Sequence, residues 1–414
     1  MQKRYAFAGA SRRGLHSYAK PMVQTYTDVA IPVGVYDTNA KRSHQFVQMS
    51  GENFPVYTDF ETMIRESKPD TVIVTCVDAF HHDYVIKAME MGCDVICEKP
   101  LTTDADKANA IIRAQKETGK DVIVTFNCRY MPFFVKVKEL LASGAIGDVV
   151  SIHLEWMLDF DHGTSYYRRW NGEMKYSQGL QLHKCTHHFD LANWFAGSEP
   201  ETVFAFGDRR AYGPENGKSP ARYCHECSDH CKFYTNISKD RYFLPFKDVD
   251  GYTHDQCIYR DAIDVQDVLA VNVRYQNRAL LSYSLNAASP YEGSRFYISG
   301  TKGRIEADNY ANYWNPKHAV KQIRLYPFDA LGTFTTEEIP TYAGGHDGAD
   351  DRMRDDIFLG RTTDDPLCQA AGVREGLMSI GIGIGINQSI KNGIGINQSI
   401  KNGIPINVHR LFEQ

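Results

Sequence analysis

The sequence lacks the features that mark membrane, secreted and nucleic-acid-binding proteins. No apolar run approaches the roughly 20 residues that a transmembrane helix needs. The N-terminus enters an apolar strand directly, without a hydrophobic leader and cleavage site, so we expect a cytoplasmic protein. A net charge of −5, with acidic and basic residues interspersed, disfavours nucleic acid as a partner. Ten cysteines in 414 residues are too few for a disulfide scaffold.

Strand and helix patterns alternate in residues 1–126, which predicts a parallel Rossmann-type sheet that would form the first of two domains. The predicted strands are Arg4–Ala8, Ile31–Tyr36, Thr71–Val77, Asp94–Cys97 and Asp121–Phe126. Helices are predicted at Asp83–Met91 and Thr103–Thr118. The second of these begins at the N-cap group Thr102-Thr103-Asp104 and ends at Gly119.

Residues 127–414 show a different pattern and predict a second, α+β domain with a large, mainly antiparallel open sheet. One helix, Phe133–Ser143, precedes strands with a period of two, namely Val149–Trp156, Glu201–Phe206, Val268–Tyr275, Ala279–Leu285 and Arg295–Ser299. Tyr212–Asp248 has no clear periodicity; we call it the excursion, and such long segments tend to be functional. The C-terminal segment is free to pack back on the first domain.

A decapeptide near the C-terminus occurs twice in tandem, as Gly383–Asn392 and Gly393–Asn402. Ten helical residues turn about 1000°, so the two copies cannot pack one helix face in the same way. Two repeats are too few for a solenoid, and no function is assigned to them.

The segment Gly9-Ala10-Ser11-Arg12-Arg13-Gly14 has dinucleotide-binding spacing, with Ser11 at the middle glycine position. Glycines after a first strand let backbone N–H groups approach a pyrophosphate at a helix N-terminus. Asp37 closes the second strand, where an acid suits a ribose hydroxyl and favours NAD. Lys41 and Arg42 follow closely and leave NADP open. A plain turn and a strand-end cap are the alternative interpretations.

Cys97-Glu98-Lys99-Pro100 follows the fourth strand, at the sheet edge where open α/β sheets bind ligands. A lysine there can hold a reacting hydroxyl and stabilise an alkoxide, although a surface lysine in a turn is the alternative. Glu98-Lys99-Pro100 resembles the signature of the glucose–fructose oxidoreductase/inositol dehydrogenase (Gfo/Idh/MocA) family. Further segments resemble that family: Cys76–His81, Asn127-Cys128-Arg129-Tyr130, Gly147-Asp148-Val149 and Ser299-Gly300-Thr301-Lys302-Gly303.

The resemblance implies an NAD(P)-dependent dehydrogenase that acts on a sugar, glycoside or cyclitol and assembles as a homodimer or homotetramer. The residues expected to bind the cofactor are Gly9, Ser11, Arg12, Arg13, Gly14, Asp37, Cys76, Asp78, His81, Glu98, Lys99 and Asn127.

The segment His183-Lys184-Cys185-Thr186-His187-His188-Phe189-Asp190 resembles the part of the family that carries the catalytic histidine. By position His187 is that histidine, and His183 stands where the family usually has an aspartate. The expected catalytic residues are Lys99, His183, Lys184 and His187. Histidines four residues apart can also bind zinc, but no cysteine or carboxylate clearly completes a ligand set, so no metal is predicted. Histidines merely packed at a helix start are the third alternative.

Aromatic and basic residues are concentrated in His162–Trp170. Such a mixture suits a polyhydroxylated ring, and it also suits a subunit interface. We expect substrate contacts from Arg129, His162, Tyr166, Arg168, Arg169 and Trp170.

Three cysteines of the excursion, Cys224, Cys227 and Cys231, follow C-x2-C-x3-C spacing. The spacing leaves a metal site, a disulfide or free thiols open, because a closed zinc site needs four ligands.

Three functions follow from these patterns. The first is reversible hydride transfer, in which His187 removes the hydroxyl proton and Lys99 polarises the oxygen. The second is a glycoside-cleaving lyase or hydrolase that retains NAD and oxidises its substrate transiently. The third is a non-catalytic nucleotide-bound sensor.

Overall fold

The computed structural model describes residues 2–311, 319–360, 365–391 and 406–412, and its first sheet is fully parallel. Six strands lie in the order β3-β2-β1-β4-β5-β6. They are β1 (Lys3–Ala8), β2 (Ala30–Tyr36), β3 (Val56–Tyr57), β4 (Thr71–Val74), β5 (Asp94–Cys97) and β6 (Val122–Val124). This doubly wound order confirms the predicted Rossmann-type sheet.

Helices cover both faces of this sheet. They are α1 (Arg12–Gly14), continued through a π-helical turn at Leu15–Ala19 into α2 (Lys20–Gln24), α3 (Ala40–Ser50), α4 (Phe60–Ser67), α5 (His81–Glu90) and α6 (Ala105–Thr118). Alternate strand residues enter separate apolar clusters, with Phe7 and Ile73 in one and Ala8 and Val74 in the other. The strands are therefore buried on both faces, as expected for a parallel sheet.

The predicted end of α6 at Thr118 is confirmed, whereas its start, predicted at Thr103, lies at Ala105. The Asp104 side chain accepts a hydrogen bond from the Lys107 backbone N–H at 3.0 Å, and Gly119 ends the helix at φ +66°. The predicted strand Thr71–Val77 ends earlier, at Val74, because the chain turns there. The turn frees Cys76 and Asp78 from the sheet and places them at its edge.

The second sheet has nine strands in the order β14-β13-β12-β11-β7-β10-β9-β8-β15. Its pairs are antiparallel except β7 with β10, which confirms the predicted, mainly antiparallel sheet. The strands are β7 (Val149–Asp159), β8 (Pro200–Asp208), β9 (Val268–Tyr275), β10 (Leu280–Ser289), β11 (Glu292–Gly300), β12 (Gly303–Ala311), β13 (Val320–Pro327), β14 (Thr335–Glu338) and β15 (Ile406–Asn407).

The second half of the chain also contributes helices. They are α7 (Pro132–Ala142), α8 (Phe160–Tyr167), α9 (Met174–Ser177), α10 (Leu180–His183), α11 (Cys185–Ala196), α12 (Lys247–Asp250), α13 (Ala349–Phe358) and α14 (Val373–Lys391). Residues 212–246 of the excursion form loops and short helical turns.

The C-terminal helix α14 packs on the first sheet. A Cβ at Gly376 would lie 3.1 Å from side-chain atoms of Leu101 and Val124, so the absence of a side chain allows this approach. The first decapeptide copy ends α14, whereas residues 392–402, with the whole second copy, lie outside the described residues. None of the helices in the described part of the chain is long and apolar enough to span a membrane.

Candidate active site

One large cavity, about 2330 Å³, lies between the carboxyl ends of the first sheet and the face of the second. This is the edge at which open α/β sheets bind ligands. Nearly all the predicted site residues line it. They are Gly9, Ser11, Arg12, Arg13, Asp37, Cys76, Asp78, His81, Glu98, Lys99, Asn127, His162, Tyr166, Arg168, Arg169, Trp170, His183, Lys184 and His187. Gly14 and Arg129 are absent from the lining.

The turn after β1 has no room for side chains at its glycines. Gly9 has φ +97°, and a Cβ there would lie 2.7 Å from the backbone N of Cys76. A Cβ at Gly14 would lie 2.7 Å from Oγ1 of Thr75. The Ser11 hydroxyl caps the helix by accepting from the Gly14 N–H at 2.9 Å. A backbone cradle at a helix start fits the pyrophosphate of a dinucleotide.

Asp37 anchors this turn to the end of β2. Its carboxylate accepts hydrogen bonds from the backbone N–H groups of Ala10 and Asn39, both at 2.8 Å. Burial raises the pKa of Asp37, although these hydrogen bonds oppose the shift. Its position beside the glycine turn fits a ribose hydroxyl.

A buried network of ion pairs includes Arg13 of the glycine turn. Arg13 contacts Glu98 at 2.8 Å and binds both carboxylate oxygens of Asp350 at 3.0 Å. Asn127 donates to Asp350 at 2.8 Å. Burial alone would raise the pKa of Asp350, but its hydrogen bond with His346 and the charge of Arg13 lower it overall. Asp350 belongs to α13, so the C-terminal segment completes this wall; no local pattern marks it in the sequence.

His81 ties two loops of the cofactor side together. Its Nδ1 lies 2.7 Å from the carbonyl oxygen of Pro100, and its Nε2 lies 3.2 Å from that of Cys76. Burial lowers the pKa of His81, although the hydrogen bonds to the two carbonyl oxygens oppose the shift. The ring therefore positions the backbone around Lys99.

Lys99 projects from the end of β5 toward the second half of the chain. Its Nζ donates to the backbone carbonyl of His183 at 2.8 Å. Burial lowers the pKa of Lys99 to about 8; Asp78 opposes this shift and the Lys184 cation adds to it. An amine with such a pKa can hold or release a proton near neutral pH.

His183 pairs with a carboxylate that the sequence analysis assigned to cofactor binding. Its Nδ1 lies 2.6 Å from Oδ2 of Asp78, and both side chains are largely buried. Burial raises the pKa of Asp78, and burial with the nearby Lys99 cation lowers that of His183. His183 replaces an aspartate of the family pattern, and here the partner carboxylate comes from the first sheet instead.

His187 lacks such a partner. Its Nδ1 is buried and has no hydrogen-bond partner among the described residues, and its ring packs edge-on against Phe126 at 6.1 Å. Burial, followed by the charge of Lys99, lowers the pKa of His187 well below its usual value. His187 is thus a neutral imidazole at the cavity wall, without a carboxylate to stabilise its protonated form.

Arg129, expected to contact the substrate, lies on internal partners. It is 3% exposed, and its guanidinium forms a bidentate pair with Asp190 at 2.8 and 2.7 Å. Its Nη1 also donates to the carbonyl of Cys368 at 2.9 Å. The side chain pairs with other residues of the protein and does not line the cavity. This placement favours a structural role over the expected substrate contact.

A hydrogen-bonded chain runs along the opposite wall of the cavity. The Tyr166 hydroxyl lies 2.9 Å from Nε2 of His162, whose Nδ1 lies 3.1 Å from Oε1 of Glu292. Glu292 begins β11, more than a hundred residues from His162, so no sequence spacing predicts the pair. Trp170 lies edge-on to His183 with ring centroids 5.3 Å apart.

Arg168 and Arg169, which were also expected to contact substrate, mainly contact other residues of the protein. Arg168 donates to the Phe233 carbonyl and contacts Sγ of Cys224 at 3.7 Å, which holds the excursion on α8. Arg169 donates to the Ser165 carbonyl at 2.8 Å and lies over the Tyr166 ring at 5.4 Å.

Lys184 has no hydrogen-bond or ion-pair partner among the described residues and lies 5.8 Å from the Trp156 ring centroid. Burial alone would lower the pKa of Lys184, but Tyr166 and Glu292 outweigh it and raise the pKa. Lys184 is therefore a cation at the cavity wall.

The cysteines in the described part of the chain are unpaired, including Cys224, Cys227 and Cys231. Across the described ranges, no group of three or more His, Cys, Asp or Glu side chains is placed to hold a metal ion.

Comparison with known proteins defines the class to which this site belongs. Residues 3–126 match the family model described as "Oxidoreductase family, NAD-binding Rossmann fold", and residues 138–397 match "Oxidoreductase family, C-terminal alpha/beta domain". The chain is thus a two-domain oxidoreductase with an NAD-binding domain. Both models describe one family, and the chain belongs to it: the Gfo/Idh/MocA family. It is an NAD(P)-dependent dehydrogenase of that type, as predicted.

Individual relatives agree with this assignment. The chain is 35% identical to the oxidoreductase YteT of Bacillus subtilis (strain 168) over 415 residues, 94% of this chain and 96% of that protein. It is 30% identical to inositol 2-dehydrogenase of Rubrobacter xylanophilus over 176 residues, 42% of this chain and 47% of that protein. An oxidoreductase from Agrobacterium radiobacter, solved with NAD+, L-tartaric acid and magnesium, superposes with a TM-score of 0.68 at 15% identity. That match covers 99% of this chain and 100% of the other, and shows the shared fold.

Proposed function

We propose that the protein catalyses reversible hydride transfer between NAD and a secondary hydroxyl of a sugar, glycoside or cyclitol. The observation that carries the proposal is Lys99, a buried amine with a pKa of about 8 in the same cavity as the glycine turn and two neutral imidazoles. The similarity to inositol 2-dehydrogenase supports a polyhydroxylated substrate.

The residues at the sheet edge fit the cofactor. Gly9 and the helix start at Ser11 would hold the pyrophosphate, and Asp37 would hold the adenosine ribose. A bound nicotinamide supplies the hydride acceptor or donor for the reaction. The protein supplies orientation and charge, and the steps below concern its own residues.

Lys99 and His183 have different roles at the oxygen of the reacting hydroxyl. As the hydride leaves the carbon, the hydroxyl proton passes to the imidazole of His183, and the ammonium of Lys99 stabilises the charge that develops on oxygen. In its ionised form, which the neighbouring Lys99 cation favours, Asp78 stabilises the resulting imidazolium through Oδ2, 2.6 Å from Nδ1. Because His187 has no such partner, we assign the proton-accepting role to His183, although the sequence alone favoured His187.

The opposite wall suits a ring with many hydroxyls. Trp170 and Tyr166 offer aromatic faces to apolar C–H groups, and the His162–Glu292 pair offers polar partners to hydroxyls. Lys184 adds a cation that has no hydrogen-bond or ion-pair partner among the described residues. These groups surround the position that Lys99 and His183 define.

Purified protein tests the proposal when it is mixed with NAD+ and a panel of inositols, glycosides and disaccharides. We expect NADH absorbance to rise with at least one of them, and Lys99→Met to slow the rise about 10²–10³-fold while NADH binding persists. Sugar release without accumulated NADH would instead show a glycoside-cleaving enzyme. Cofactor binding without turnover of any sugar would show a sensor.

Two histidine variants separate the candidate bases. We expect His183→Asn to lower kcat by about 10²–10⁴, the usual contribution of a general base, and His187→Asn to lower it less. The reverse order would return the proton-accepting role to His187. Asp78→Asn should lower kcat as His183→Asn does, because the amide cannot stabilise an imidazolium.

A further inference from the structure

The segment that directly follows the excursion crosses over to the first sheet and pairs with Arg42. Asp250, the last residue of α12, binds this arginine through both carboxylate oxygens: Oδ2 lies 2.6 Å from Nε, and Oδ1 lies 2.9 Å from Nη2. Arg42 belongs to the first turn of α3, five residues after Asp37. All three side chains line the cavity that begins at the glycine turn.

Arg42 is enclosed on its remaining sides. Its Nη1 donates to the carbonyl of Tyr242 at 2.9 Å, and its guanidinium lies 5.3 Å from the Phe243 ring and 5.8 Å from the Tyr252 ring. Only 11% of the side chain is exposed. The arginine that the sequence leaves free for a phosphate is therefore committed to partners in the excursion and in the residues just after it.

Asp250 accepts hydrogen bonds from several donors, as a bound anion would. Besides Arg42, the Asn39 amide donates to its Oδ2 at 2.7 Å, and the backbone N–H of Tyr252 donates to its Oδ1 at 3.0 Å. Burial alone would raise the pKa of Asp250, but these hydrogen bonds outweigh it and keep the carboxylate charged. A planar guanidinium fork with an added amide is also a donor set that recognises phosphate.

The location makes this anion position relevant to the cofactor. In a Rossmann domain the acid at the end of β2 binds the adenosine ribose, and a nearby arginine accommodates the additional 2′-phosphate of NADP. Here that arginine already holds a carboxylate, and two acids, Asp37 and Asp250, face the same region. The two carboxylates would repel a phosphate bound there, and the guanidinium of Arg42 would already be paired.

We propose that Asp250 is a specificity-determining residue that makes the site select NAD over NADP by occupying Arg42 from the second half of the chain. The proposal rests on dinucleotide binding at the glycine turn, and it is independent of the sugar that is oxidised. Removal of the carboxylate frees the Arg42 fork for a 2′-phosphate.

Titration of the full-length protein with NADH and with NADPH, followed by nicotinamide fluorescence, tests this without any sugar. We expect wild-type protein to bind NADH at least about tenfold more tightly. In Asp250→Asn and Asp250→Ala, NADPH affinity relative to NADH should rise about 10- to 100-fold, the range expected when a charged hydrogen-bond pair becomes available. Adding Arg42→Met to either variant should remove the gain.

Asp248→Asn is the matched control, because it removes an exposed carboxylate from the same short helix. An equal rise in this control would overturn the proposal, as would an unchanged ratio in both Asp250 variants or a wild-type protein that binds NADPH as well as NADH. The isosteric asparagine preserves the shape of the loop, so the test does not depend on the alanine variant. Absence of NADH binding to wild-type protein would instead refute the proposed function.

Discussion

The bidentate pair between Arg129 and Asp190 yields a quantitative prediction, because removal of one partner leaves a buried charge. The two side chains are only 4% and 1% exposed. At an effective dielectric constant near 20, opposite charges about 4 Å apart attract by about 4 kcal/mol. Breaking a buried pair costs about 3–5 kcal/mol, because the remaining charge loses its partner without regaining water. We therefore expect Arg129→Met to lower the free energy of unfolding by that amount.

Urea denaturation followed by tryptophan fluorescence measures this loss, and the structure supplies a local reporter, because Arg129 lies 5.7 Å from the Trp194 ring. The double variant Arg129→Met/Asp190→Leu should recover most of the stability, since it leaves no charge buried. The control Arg65→Met removes an exposed helical pair with Glu61 and should cost about 0.5 kcal/mol or less. A loss below about 1 kcal/mol for Arg129→Met, together with a raised substrate KM, would refute the structural role and restore the expected substrate contact.

Three further predictions concern the site itself. Lys99→Met should lower kcat about 10²–10³-fold, the cost of losing one donor to a developing oxyanion, while the NADH affinity measured by fluorescence stays within about twofold. The rate of carbonyl reduction should fall as pH rises through about 8, because Lys99 then loses the positive charge that stabilises the alkoxide developing from the carbonyl; a flat pH–rate profile would contradict this assignment. Gly9→Ala should weaken NADH binding at least about tenfold, since its Cβ would collide with the backbone of Cys76, whereas Gly92→Ala, at φ +90° with no atom within 4 Å, should leave binding unchanged.

Local patterns account for the parts of the fold that sequence reasoning predicted well. The alternation of strands and helices fixes the first sheet because each βαβ unit closes on its neighbour with one handedness. Asp104 and Gly119 bound α6 through contacts within a few residues of themselves. The two-residue strand β3 gives too short a pattern to be recognised.

Position along the chain predicted which residues reach the cavity and could not predict their partners. Lys99 follows β5, and parallel strands all end at one edge, so its location follows from the strand assignment. The inward pairing of Arg129 was not predicted, because position at a domain boundary does not reveal whether a side chain turns inward. Its partner Asp190 lies 61 residues away.

The sequence by itself determined the Rossmann-type sheet, the glycine turn and the placement of Lys99, because each depends on short-range periodicity and backbone geometry. Only the tertiary structure decided which carboxylate serves which cation or imidazole. Asp78 meets His183 across 105 residues, and Asp250 meets Arg42 across 208. Such pairs form where distant parts of the chain pack together, and the energy of that packing is spread over many apolar contacts that leave no local pattern in the chain.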